Sequence, residues 1–350
     1  MIKKRGETVQ EYPIDIVVAW VDGSDPEWRT ERSQYRPESN SDNNDARFRE
    51  WGVFQYWFRR IEEYAPWVRT VHLVTWGHLP SWLNTNHPKL HIVNHKDYIP
   101  EEYLPTFSSH TIELNMHRIP GLAERFIYFN DDMYLNSPTI PEDFFVDGLP
   151  VDAAVLHNVT ISDTVSFMPY IALNCLGIIN ESFSKRETFI GNKKLWFSLK
   201  YGKLLLHNLY LLPGKNFNGF RNFHGCAPYL KSTFEEVWDK YPEIMEATCR
   251  NRFRSRADVN QYLFRYWQLA KGQFVPGKPR FAYLTLGEDS MKDIEMALGD
   301  KRYIEVCVND DPSGLNFEEE QKLLRDIFER CHPLPCEFEK QGDLTAHQKE

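Results

Sequence analysis

Arg125-Phe-Ile-Tyr-Phe-Asn-Asp-Asp-Met-Tyr-Leu135 is the stretch on which the reading of this chain turns. Phe126 to Phe129 is an apolar run that reads as a buried strand, and it delivers Asn130, Asp131 and Asp132 to its end. Two adjacent carboxylates are costly to bury without a cation or hydrogen-bond donors. At a strand end they can hold a divalent metal that neutralises a diphosphate. That chemistry points to a metal-dependent enzyme acting on a nucleotide-linked substrate. Taken alone, the same residues also suit a turn with helix-capping acids.

The segments upstream share this build. Ile14 to Val21 reads as a buried strand, ended by the turn Asp22-Gly-Ser-Asp-Pro26. Val71–Thr75 and Leu90–Asn94 read as two more strands. Between the first and second, Phe48 to Tyr64 has apolar residues at 51, 54, 57, 58 and 61, a helical period that Pro66 stops. Ser109 to Arg118 reads as a helix ending before Pro120. Strands alternating with helices predict an α/β fold with a mainly parallel, Rossmann-like sheet flanked by helices. Ligands of such sheets bind beyond the carboxyl ends of the strands. Asp22 and the Asp131-Asp132 pair both sit at such ends, so one sheet edge can gather them.

Beyond Pro150 the pattern is less regular. Phe234–Cys249 and Val259–Lys271 read as helices separated by the basic run Arg250 to Arg256. Tyr303 to Val308 reads as a late strand that ends in Asn309-Asp310-Asp311 and is expected to rejoin the first sheet. The middle would then be an insertion. Phe317–Cys331 reads as an amphipathic helix, and the last dozen residues as a frayed tail. The division expected is an α/β core over 12–150 that binds the metal and the nucleotide-linked substrate, and a basic, largely helical lobe over 151–282 that contributes phosphate contacts. A return to the core over 283–335 and a tail over 336–350 complete it.

The 350 residues are 42% hydrophobic and 14% aromatic, enough for one large domain or a core with a second lobe. A net charge of −9 argues against nucleic acid as a partner. The charge is unevenly spread. Tyr201 to Ala282 carries 13 Lys or Arg against 6 Asp or Glu, whereas Asp310 to Glu350 carries 5 against 11. A basic middle suits a phosphate-bearing ligand. Six scattered cysteines read as reduced thiols, with a metal tract around Cys331, His332 and Cys336 as the lesser reading. The N-terminus has no apolar signal core and no run is long enough to span a bilayer, so a cytoplasmic enzyme is expected, with peripheral association at the inner face of a membrane left open. Neither a P-loop, nor a G-x-G-x-x-G fingerprint, nor a serine nucleophile elbow is present.

Several further residues can carry chemistry. Gly23 lets backbone approach a ligand closely beside the acid Asp22, or simply makes a tight turn. Arg47 and Arg49 open the first long helix, where cations oppose the macrodipole; they either gain a ligand or pair with Asp42 or Asp45. Arg252 and Arg254 flank Phe253, and an extended segment would put both guanidinium groups on one side to fork a phosphate. His224, in the loop-like Phe223-His-Gly-Cys-Ala-Pro228, has the right pKa range for proton transfer, although a lone loop histidine is often incidental. His110 and His117 lie seven apart on one helix face.

At these residues the chain resembles the Stealth family, sugar-1-phosphate transferases of bacterial capsular polysaccharides related to the animal N-acetylglucosamine-1-phosphotransferase. Four blocks carry the resemblance, in the family's order. They are Ile14 to Pro26; Arg47-Phe-Arg49 through Leu104-Pro-Thr-Phe107 and His117-Arg-Ile-Pro120 to Asp132; His224 to Asp258; and Cys307-Val-Asn-Asp310. The resemblance implies a UDP-sugar donor bound with Mg²⁺ or Mn²⁺ and a glycan or lipid-linked saccharide acceptor. The acceptor hydroxyl would attack the phosphate on the donor sugar and release UMP. It implies Asp131, Asp132 and Asp310 at the metal. Asp22, Gly23, Arg47, Arg49, Asn130, His117 and Asn309 would stand around the substrate. Arg252 and Arg254 would lie on phosphate oxygens, with His224 as the base. A GT-A-type glycosyltransferase, which shares a GT-A-like sheet but releases UDP, is the alternative. A non-catalytic glycan-binding module is a more distant one.

Overall fold

The computed structural model describes residues 12–35, 48–161, 166–310 and 317–340; Arg47, Asp42 and Asp45 lie outside them. Strand β1 (Ile14–Ala19) runs into the turn at Asp22, followed by α1 (Pro26–Tyr35) and α2 (Phe54–Tyr64). Then come β2 (Val71–Thr75), β3 (Leu90–Asn94), the short α3 (Ser109–Leu114), β4 (Arg125–Asn130) and β5 (Met133–Leu135). The pair β6 (Phe145–Val146) and β7 (Leu149–Asp152) leads into α4 (Met168–Ser182), α5 (Lys185–Gly191), α6 (Lys193–Trp196) and α7 (Leu205–Leu211). Strand β8 (Ala227–Leu230) precedes α8 (Lys231–Lys240), α9 (Pro242–Cys249) and α10 (Tyr262–Lys271). Last come β9 (Val275–Pro276), β10 (Phe281–Thr285), α11 (Met291–Gly299), β11 (Glu305–Asn309) and α12 (Phe317–Cys331).

The main sheet has the order β3-β2-β1-β4-β8. The first four strands are parallel, with Val18 beside Leu73 on one side and Phe129 on the other; β8 is antiparallel, with Ala227 opposite Tyr128. β1 and β4 are apolar almost throughout because both faces of the sheet are covered. Ile14, Ile16, Val18, Ile127 and Phe129 pack toward α2, α11 and α12. Val17, Phe126 and Tyr128 pack toward α4, α8 and α10. The fold is therefore α/β with a mainly parallel sheet flanked by helices.

Four expectations are corrected. The late strand β11 does not rejoin the main sheet. The free edge of β4 is taken by β8, and β11 instead pairs antiparallel with β5 and parallel with β10 in a second sheet. Since β8 belongs to the main sheet and α8 and α10 cover its face, the middle of the chain is built into the core. The helix expected over Phe234–Cys249 is two, α8 and α9, broken at Tyr241 where Pro242 opens the second. The part of the tail that is described is docked. Phe338 is buried, its carbonyl accepts from Asn84 N at 2.8 Å, and Lys340 N donates to the Trp82 carbonyl at 2.8 Å. Residues 341–350 lie outside the described residues. Among those described, no helix is long and apolar enough to cross a membrane.

Candidate active site

The site lies where β1 and β4 end. Ala19 and Asn130 are register partners, so the turn after β1 and the Asp131-Asp132 turn leave the sheet side by side. A third segment, Arg49-Glu-Trp51, comes in from the approach to α2. It is positioned through Gly23, whose N–H donates to the Phe48 carbonyl at 2.9 Å. A Cβ on Gly23 would lie 2.1 Å from that carbonyl oxygen. Gly23 thus admits the protein's own backbone, which gives it a structural reason apart from any ligand. Strand β11 supplies the fourth segment, Val308 N donating to the Asp132 carbonyl at 2.9 Å. This sets Asn309 and Asp310 beside the acid pair.

Carboxylates concentrate here. Burial, then the neighbouring Asp132 and Glu50, push Asp131 up to about 8. Glu50 is also raised, by burial and by Asp22, while its Oε2 accepts from Gly52 N at 2.5 Å. Asp132 Oδ1 is buried without a hydrogen-bond partner. Asp310 accepts from Trp51 Nε1 at 3.2 Å and lies 3.8 Å from Arg49 Nη1. Asp22 Oδ1 accepts from Ser24 N at 2.8 Å, and the Asp22 N–H donates to His78 Nε2 at 2.7 Å. A cluster that raises its own carboxyl pKa values is short of positive charge, the condition that a divalent cation relieves.

The donor set fits a hard cation. His224 Nε2 lies 3.7 Å from Asp132 Oδ2, and the Cys307 thiol donates to the same oxygen at 3.4 Å, so the three could converge on an ion. The Cys307 thiol, however, is pushed well above its usual range by burial and by Asp132. Even deprotonated by a bound cation, it would be a soft ligand, ill matched to a hard ion. That leaves carboxylate oxygens, which suit Mg²⁺ or Mn²⁺.

His224 itself adopts φ +48, a left-handed conformation that few residue types tolerate. Its Nδ1 lies 3.5 Å from the Tyr262 hydroxyl, and its ring meets Tyr283 edge-on at 5.4 Å. Gly225 follows, where a Cβ would come within 2.5 Å of Glu305 Oε2, and Cys226 N donates to that oxygen at 2.8 Å. The backbone is thereby tied to β11, and the imidazole turns out toward Asp132.

The Arg252-Phe-Arg254 segment reaches the same sheet end through an aromatic anchor. Phe253 stacks on Phe107 at 5.4 Å in a cluster with Trp28, bordered by Val21, Phe48 and Trp76. Arg252 Nη1 donates to the Pro105 carbonyl at 2.6 Å with its guanidinium over Tyr35, and Arg254 Nη2 donates to Ser109 Oγ at 2.8 Å. Phe253 thus anchors the segment near the β1 exit, with the two guanidinium groups held at Pro105 and Ser109.

Two sequence readings change. His117 is withdrawn from the site: it is buried between Phe234 and Trp238, and burial pushes its pKa down to about 3. A histidine kept neutral in an aromatic core faces no substrate. Arg49 does not open a helix, because α2 begins only at Phe54 after a turn at Gly52 with φ +69. The macrodipole argument therefore lapses, and Arg49 is held by Asp310 and Phe317 instead. Its companion Arg47 lies outside the described residues. His110 is paired with buried Asp258 at 2.8 Å, a structural role. Among the described residues all six cysteines are free, His332 pairs with Glu63 at 3.0 Å, and no group of side chains that could converge on an ion includes Cys331, His332 or Cys336. Sequence reasoning missed Glu50, His78 and Tyr262. Nothing in their local sequence marks them, since each enters through a partner 28 or more positions away.

Comparison with known proteins gives a consistent result. Models of the Stealth protein conserved regions 1, 2 and 3 match residues 12–40, 47–151 and 223–267. The capsular polysaccharide phosphotransferase WcwK of Streptococcus pneumoniae is 41% identical over 93% of this chain and 99% of its own. The receptor polysaccharide phosphotransferase WefC of Streptococcus gordonii is 42% identical over 92% and 96%, and the exopolysaccharide phosphotransferase cps2G of Lactiplantibacillus plantarum 39% over 94% and 97%. Among solved structures, the galactosyltransferase LgtC aligns with a TM-score of 0.38 and 10% identity, covering 89% of this chain and 95% of LgtC.

Proposed function

The chain belongs to the Stealth family of polysaccharide phosphotransferases, and from that premise we propose that it transfers a sugar-1-phosphate from a UDP-sugar to a hydroxyl of a glycan or lipid-linked saccharide acceptor. The product would be a phosphodiester in a capsular or other cell-surface polysaccharide, and UMP the leaving group. The observation that carries this reading is the pairing of an electron-rich carboxylate cluster with a histidine whose Nε2 stands 3.7 Å from it. A reaction at phosphorus needs charge neutralisation, alignment and one proton acceptor, with no covalent nucleophile from the protein.

Asp131 and Asp132, with Asp310 beside them, would hold Mg²⁺ or Mn²⁺, whose charge would offset that of the donor diphosphate. His224 would receive the proton of the acceptor hydroxyl. With Nδ1–H directed at the Tyr262 hydroxyl, the Nε2 lone pair faces the acid cluster where the phosphate would lie. The acceptor oxygen forms its bond to the phosphorus on the sugar, and the bond from that phosphorus to the bridging oxygen breaks. UMP departs with the bridging oxygen, and the hydroxyl proton passes to His224. Arg252 and Arg254 would bind phosphate oxygens and stabilise the charge that builds on them. Each would keep its present backbone or serine partner, since a guanidinium has five donor hydrogens. Asp22, Asn130, Arg49 and Asn309 would border the nucleotide and sugar.

The test is identification of the released nucleotide when purified protein is incubated with a panel of UDP-sugars, acceptor and Mg²⁺ or Mn²⁺. UMP is expected, with no turnover in Asp132→Ala or in the presence of EDTA. Release of UDP would instead establish transfer at the anomeric carbon, as in a GT-A glycosyltransferase.

A further inference from the structure

From Thr188 to Phe234 the chain has no aspartate or glutamate, yet it has seven lysines or arginines. Within this stretch α7 is apolar on both sides: Leu204, Leu205 and Leu211 pack against the core, and further apolar residues face out. Asn208 is fully buried, its Oδ1 accepting from Leu156 N at 2.6 Å and its Nδ2 donating to the carbonyls of Ala154 and Trp196 at 2.7 Å. Leu206, Leu209 and Tyr210 face outward at 65%, 51% and 80% exposure, and Leu199, just before α7, is 87% exposed. A helix whose outer face met only water would carry polar residues there. The three bonds of Asn208 fix the helix rotation, so the apolar face cannot roll inward.

Lys193, Lys194, Lys200, Lys203 and Lys215, which flank α7 in the chain, are all exposed. Protruding aliphatic and tyrosyl side chains in a segment with exposed lysines before, within and after it form the pattern of an interfacial segment that buries apolar groups among lipid chains and sets its cations on anionic headgroups. We propose that the Leu199–Leu212 face docks this protein on an anionic lipid surface. The charge decides the occupant. Two copies meeting through this face would press lysines together, whereas an anionic bilayer neutralises them. The position is also useful. Lys200 Nζ donates to the Pro276 carbonyl at 2.9 Å, and the next residues, Gly277 to Arg280, line a cavity of about 120 Å³ that reaches His224. On the function proposed above, a lipid-linked acceptor would approach the base from this side; the docking itself does not depend on that function.

The test is co-sedimentation of the full chain with phosphatidylcholine vesicles and with vesicles that also contain phosphatidylglycerol. We expect at least tenfold stronger partitioning onto the anionic vesicles, weakened by high salt. Leu206→Asn combined with Leu209→Asn and Tyr210→Ser should reduce that binding tenfold or more, as should Lys194→Glu with Lys203→Glu. In both variants the melting temperature and turnover of a water-soluble acceptor should stay at the parent level. The proposal is overturned if the parent ignores anionic vesicles, if both variants bind as the parent does, or if sedimentation velocity shows a parent dimer that the apolar variant abolishes while vesicles capture neither.

Discussion

Replacing Gly23 with alanine tests how the site is assembled, independently of the reaction assigned to it. The new Cβ would stand 2.1 Å from the Phe48 carbonyl oxygen and 2.7 Å from the Phe48 Cβ, where ordinary contact begins near 3.4 Å. One segment must retreat by about 1.3 Å. The obstacle is backbone, so no side-chain rotation relieves it. Overpacking of this kind costs ~1–3 kcal/mol. Losing the Gly23 N–H to Phe48 bond adds ~0.5–1.5 kcal/mol. A total of about 1.5–4.5 kcal/mol corresponds, for a chain of 350 residues, to a fall of roughly 2–6 °C in melting temperature. The catalytic effect should be larger in proportion. Phe48 leads into Arg49 and Trp51, which hold Asp310 at 3.8 and 3.2 Å, so its retreat loosens the acid cluster. A displacement of ~1 Å at a reacting centre can cost ~10²-fold in rate. Thermal melts and kcat/KM are measured side by side with Gly177→Ala as control. In that variant the new methyl group in α4 meets nothing within 4 Å, and stability should hold or rise by up to about 1 kcal/mol. A Gly23→Ala protein as stable and as active as the parent would refute the assembly described here.

Other expectations concern separate parts of the molecule. His224→Ala should lower kcat by ~10²–10⁴-fold with little change in melting temperature, because the imidazole is about a third exposed; turnover at the parent rate would remove it as the base. Glu305, raised by burial to about 7 against an ordinary 4.5, binds its proton more tightly when folded. Stability from this group is therefore full below pH 4.5 and lost as pH rises through 7. Glu305→Gln should remove about 1–3 kcal/mol of that decline in urea unfolding at pH 5 and 8, and an unchanged slope would contradict it. Asp15 is fully buried. Burial pushes its carboxyl up, but hydrogen bonds from His72, Arg69 and the Ala123 N–H outweigh this and hold it below the usual range. Asp15→Ala should cost ~3–5 kcal/mol by stranding Arg69 and His72. Since Asp15 lies at the opening end of β1, kcat should be preserved well below the melting temperature.

The sheet was legible in the sequence because a strand covered on both faces must be apolar nearly throughout, a demand met locally by Ile14–Ala19, Val71–Thr75 and Phe126–Phe129. Asp22 and the Asp131-Asp132 pair were legible for the same reason: acids that follow such runs must stand at strand ends. The partners of those acids belonged to tertiary structure alone. Glu50 joins them only because the Gly23 N–H donates to the Phe48 carbonyl, and Asp310 only because β8 occupies the edge of β4 and diverts β11 to β5. His117 and His224 look alike as sequence, but packing buries one under Trp238 and turns the other toward Asp132. Hydrophobic runs are a property of neighbours along the chain. A catalytic constellation depends on which distant segments share an edge, and only the folded chain settles that.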